Sequence, residues 1–151
     1  MATEISKGLK WTFFIHFVVT LLFGVVFTML VTMLDQVFDL VNYLKIIGWP
    51  YFDPVISNLL GFAFFALALS SFIAWKETKW EKVKIIVLME IAWFMGGTYV
   101  MFWSLYSGMM AIPGVPELPP MGWIYLIMFS AFLIAFIVFY IQHEKEKKES
   151  D

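Results

Sequence analysis

The chain contains no cysteine and no arginine. The first absence excludes disulfides, thiol catalysis, thiolate metal ligation and a lipidated-cysteine anchor. The second leaves lysine as the sole permanent cation. Lysine is a point charge without the planar fork that grips phosphate in bidentate fashion. Charge of either sign is scarce: 15% of residues are charged and 62% are hydrophobic. A soluble domain carries about 25% charged residues, so this chain cannot clothe itself in a water-facing surface. The formal net charge of −2 gives no basic surface for nucleic acid. Also missing are a Gly-rich phosphate loop, a G-x-S-x-G elbow, a Ser-His-Asp set and EF-hand spacing. The sequence points to no catalytic site and assigns no cofactor or metal.

Uncharged runs are abundant. Residues 11–34 lie between Lys10 and Asp35 without a charge unless His16 is protonated. At about 1.5 Å per residue they reach roughly 36 Å, enough to cross a hydrocarbon core of about 30 Å. The run is too long for the apolar region of a signal peptide and no A-x-A site follows, so it is read as an uncleaved first span. Further spans are expected at 54–75, 85–106 and 121–142. Asp53 and Pro54 suit the cap and first position of the second. The expected fold is an all-α integral membrane protein. It forms a single up-down bundle of four transmembrane helices over residues 1–151, in contact with the lipid bilayer.

Lysine placement gives the threading. Nine of the ten lysines flank the chain start, the 76–84 connection and the chain end; Lys45 alone falls on the other side. The positive-inside rule then places both termini in the cytoplasm of a cell-membrane protein. Trp11, Trp49, Trp75, Trp80, Trp103 and Trp123 fall near span ends, as interfacial aromatics do. "KETKWEKVK" predicts a tight hairpin between spans two and three. "SGMMAIPGVPELPPMG" is too rich in proline and glycine for a helix. Residues 36–48 have helical apolar spacing, either continuing span one or lying in the outer interface. Residues 143–151 are expected to be a solvated, fraying cytoplasmic tail.

Polar residues inside the spans are the candidates for function. Span one carries His16, Thr20, Gly24, Thr28 and Thr32 at steps of four, with Asp35 beyond. This is either a polar path or, as preferred, a packing seam in which threonines bond their own helix. Span two aligns Ser57, Gly61, Phe64, Ala68, Ser71 and Trp75; span three aligns Glu90, Phe94, Gly97, Met101, Ser104 and Gly108. Both stripes read as helix-packing faces. On the outer side, Asp35, Asp39, Asp53 and Glu117 make an acidic cluster, read as solvated span ends. His16 and His143 do not form a metal pair by spacing.

Glu90 is the lone carboxylate within a span. Its depth matches that of His16, about six residues from the same face, so a Glu90–His16 hydrogen bond is expected, with hydroxyls as fallback partners. The favoured function is a non-catalytic accessory or assembly subunit, packed against other membrane proteins or its own copies. Two alternatives remain: a small proton, cation or solute transporter using Glu90 and His16, and a lipid- or quinone-binding membrane enzyme.

Overall fold

Ser6 starts the first helix. Its backbone is extended, at φ −62° and ψ 150°, and its hydroxyl accepts the Leu9 N–H, satisfying one of the free donors of the first turn. The structure is a computed structural model and describes residues 4–30, 54–106 and 120–150. Helix α1 spans Lys7–Val25, continued by a π-helical segment, Val26–Leu30. There the Thr28 hydroxyl bonds the Gly24 carbonyl at 2.7 Å, competing for the acceptor that an α-helical Thr28 N–H would use. Helix α2 spans Pro54–Lys76, α3 Trp80–Tyr106 and α4 Pro120–Ser150.

Among the described residues the protein is all-helical, with four helices long and apolar enough to cross a membrane. Their apolar segments run Lys7–Thr28, Asn58–Lys76, Trp80–Tyr106 and Gly122–Glu149. Large apolar side chains cover the outside, among them Leu22, Phe62, Phe72, Ile127 and Ile134. Each helix buries only a narrow stripe, and for α2 that stripe contains Gly61, Phe64, Ala68 and Ser71.

Two helix boundaries differ from the sequence expectation for a shared reason. The charged segments at the ends of spans three and four are held in helix by each other. Lys84 pairs with Glu144 at 2.8 Å and Lys147 with Glu81 at 2.7 Å. Helix α3 therefore begins at Trp80 rather than near residue 85, and α4 runs on to Ser150 instead of fraying after Gln142. Trp80, expected at an interface, is fully buried. It stacks on His143 with ring centroids 4.8 Å apart and donates its Nε1–H to Glu144 at 2.9 Å.

The chain start is tied into the same end. The Ile5 N–H donates to the Thr78 carbonyl at 2.9 Å. The Ser6 N–H donates to His143 Nε2 at 3.0 Å, while His143 Nδ1 lies 2.7 Å from the Phe139 carbonyl. The Nδ1 proton must point at that carbonyl, so Nε2 is the acceptor and both ring nitrogens of a neutral His143 are satisfied. In the connection between α2 and α3, the Thr78 N–H and the Lys82 ammonium hold the Glu77 carboxyl down at about 2.

These contacts bring the start of α1, the end of α2, the start of α3 and the end of α4 to one lysine-rich end. The hairpin expected from "KETKWEKVK" places α2 beside α3, yet their packing is slight. The broad interfaces are α1 with α2 and α3 with α4. The molecule is thus two helix pairs, and its hydrophobic core, including Leu9, Phe13, Val87, Phe94 and Phe136, joins them. Residues 31–34 of the expected first span, the 36–48 helix, Asp35, Asp39, Asp53, Glu117 and the Pro-rich loop lie outside the described residues.

Candidate functional site

Three helices deliver one polar side chain each to a common point. His16 comes from α1, Ser71 from α2 and Glu90 from α3, and all three are at most 1% exposed. His16 Nδ1 lies 2.8 Å from Ser71 Oγ and 3.4 Å from Glu90 Oε1. The Ser71 hydroxyl lies 3.2 Å from Glu90 Oε1. The structure therefore brings Glu90 and His16 together with a serine standing between them. The shorter contact is to the hydroxyl, so Ser71 is the principal link. It was visible in the sequence as a member of the α2 stripe, but nothing in its spacing singled it out from Ser57 or Ser70.

Ser70 is peripheral: its hydroxyl bonds the Leu67 carbonyl at 2.9 Å and lies 3.4 Å from Glu90. Aromatic rings close the site. Phe94, Phe132 and Phe136 have ring centroids 5.0, 5.1 and 5.9 Å from that of His16. The α4 rings make the fourth wall, so the triad is enclosed by every helix. Removing one member of such a buried pair leaves the other without compensation, which gives it leverage over helix register.

The other span-one candidates do not join this cluster. The Thr20 hydroxyl donates to the His16 carbonyl at 2.7 Å and the Thr28 hydroxyl to that of Gly24. Both hydroxyls are turned onto their own helix. Gly24 is buried, and a Cβ there would meet the Phe65 ring at 2.7 Å. Gly61 is tighter still: a Cβ would strike the Thr28 side chain and come within 3.0 Å of the Thr28 backbone nitrogen. Ala68 is buried in the same α2 face. On α3, a Cβ at Gly97 would approach the Phe129 ring at 3.2 Å, and Ser104 is half-buried. Among the described residues no three His, Asp or Glu side chains converge as a metal site.

Among the described residues, four buried polar atoms have no hydrogen-bond partner: His16 Nε2, Glu90 Oε2, Trp93 Nε1 and Thr98 Oγ1. Trp93, which the sequence reading passed over, lines a cleft of about 410 Å³ between the helix pairs. The class these features define is an all-helical bundle with four apolar helices of membrane-crossing length and one buried His-Ser-Glu triad. Compared with protein-family models, with curated proteins and with solved structures, the chain finds no match.

Proposed function

We propose that the protein is a multi-pass protein of the cell membrane, with both termini cytoplasmic, that works without catalysis as an accessory or assembly subunit. It packs against other membrane proteins or a second copy of itself. The observation that carries this reading is the enclosure of the triad: three helices meet at His16, Ser71 and Glu90, and phenylalanine rings surround them. A transport path needs a continuous run of polar groups, whereas the Thr20 and Thr28 hydroxyls turn back onto their own helix. The triad acts as a bolt that fixes the register of two helix pairs. The apolar, aromatic-rich outside then remains available to lipid and to neighbouring subunits.

Two measurements test this. Because the chain has no cysteine, single cysteines can be placed at 79 and 115. A membrane-impermeant thiol reagent applied to intact cells is expected to label 115 and spare 79; the reverse overturns the orientation. Proteoliposomes are expected to show no proton flux that depends on Glu90, and native mass spectrometry after mild solubilisation is expected to show a homo-oligomer or a stoichiometric companion. A strictly monomeric protein whose proton flux disappears in Glu90→Gln overturns the assembly role in favour of transport.

A further inference from the structure

The two helix pairs part around the cleft, which all four helices line. Its volume of about 410 Å³ lies within the usual range of small-molecule sites. Six of its thirteen lining residues are aromatic: Phe23, Phe27, Phe64, Trp93, Tyr125 and Phe129. No charged side chain is among the thirteen, so the cleft offers no counter-charge to an ionic head. Exposed Gly96 also lines it, and a Cβ there would meet no heavy atom within 4 Å.

The cleft and the triad have a smaller space between them. A second void of about 10 Å³ shares Phe23, Phe64, Trp93, Met128 and Phe129 with it and is also lined by His16. That is about the space of one oxygen atom or water. Trp93 borders both spaces, and Trp93 Nε1 and His16 Nε2 are buried without partners among the described residues.

The indole N–H of Trp93 is always a donor. His16 Nε2 is a donor in every form of the ring except the neutral one whose sole proton sits on Nδ1. An acceptor oxygen at the void serves the Trp93 donor in every case and holds a His16 ring proton on Nε2.

We propose that the cleft binds a planar, lipid-soluble carbonyl compound of the quinone class, with a carbonyl oxygen held at the junction of Trp93 and His16. A flat ring gains from the aromatic walls in a way that a saturated acyl chain does not. A partner helix is a poorer occupant, because its backbone carbonyls are already bonded within the helix. This site goes beyond the assembly role and does not depend on it.

The test uses the full chain in phosphatidylcholine nanodiscs with 2-methyl-1,4-naphthoquinone as the probe. Saturable tryptophan quenching at one site per chain is expected. Gly96→Leu, which fills the cleft where space is open, is expected to weaken it by about tenfold or more with unchanged melting. Trp93→Phe keeps a ring but removes the donor, and is expected to weaken it about tenfold. With ¹⁵N-labelled histidine, the His16 Nε2 signal is expected to move on adding the probe; His143, with both nitrogens bonded, is the internal control. Quenching equal in wild type and both variants means partition into lipid and overturns the site. A still His16 signal overturns the proposed oxygen position. Displacement of the quinone by equimolar methyl oleate identifies an acyl ester as the occupant and overturns the quinone class.

Discussion

The lysine-rich end and the cleft region of this bundle are built from different materials. At the lysine-rich end, polar groups are bonded in pairs: Ser6 with His143, Trp80 with Glu144, Lys84 with Glu144, Lys147 with Glu81. The buried core lies beside them, and the charges allow α3 and α4 to continue past their apolar runs. Around the cleft, aromatic rings and glycines prevail, and Trp93 Nε1 lacks a partner among the described residues. A region whose buried donors and acceptors are matched has one arrangement to prefer, whereas one with an unmatched donor and open space favours an added molecule. The triad stands at the boundary, with His16 Nδ1 bonded on one side and Nε2 unmatched.

The comparison can be broken most severely at the α1–α2 contact. Gly61→Leu must drive Thr28 and its backbone away, since even a Cβ does not fit. Overpacking of this kind costs about 3 kcal/mol, and the expected readout is loss of the folded monomer in a detergent unfolding titration. A variant that melts like wild type would show that α1 and α2 do not approach closely there.

His143→Leu attacks the lysine-rich end. It leaves the Ser6 N–H without its acceptor and removes a ring stacked on Trp80. A loss of about 2 kcal/mol is expected, with earlier proteolysis of the first residues as a second readout. An unchanged melting point would show that the chain start contributes nothing to holding this end.

Gly97→Leu sharpens the contrast between glycines. Its obstacle is the Phe129 ring rather than backbone. That ring borders the cleft and has space to shift, so about 1 kcal/mol is expected, well below the Gly61 effect. Equal losses at 61 and 97 would mean that the two helix-pair contacts are equally tight.

The smallest effect belongs to Glu77→Gln, in the turn outside the helices. The folded carboxyl is held at about 2, below its usual 4.5, by the Thr78 N–H and then Lys82. A depressed carboxylate stabilises the fold above about 4.5, and that contribution is lost as pH falls from 4.5 toward 2. The wild type should therefore lose melting temperature across this window slightly more than Glu77→Gln. Identical acid profiles would show that the turn does not couple to folding.

Much of the architecture was legible in the sequence because spans are long and composition accumulates along them. Pro54 to Lys76 was readable to within a residue, since Pro54 and the first lysine mark its ends. The ends of α3 and α4 were not, because "KWEKVK" and "HEKEKK" read as solvated charge until the facing helix supplies Glu144 for Lys84 and Lys147 for Glu81. At the site, His16 and Glu90 stood out as ionisable residues of matching depth. Ser71 and Trp93 did not, because one serine among several and one tryptophan among seven carry no individual mark.

The sequence by itself determined the number of long apolar segments and the clustering of lysines at their ends. These follow from sums over many residues and survive any rotation of a helix about its axis. The stripes of small and polar residues marked the inward side of α2 and α3 in outline. The final rotation of each helix and the partner of each side chain were decided by the tertiary structure, because helices this apolar carry only a weak facial signal. That rotation put Ser71 between His16 and Glu90, stacked Trp80 on His143 and opened the cleft beside Trp93. The physical reason is that hydrogen bonds and close packing depend on positions to within an ångström, and those positions exist only once the helices have chosen their neighbours.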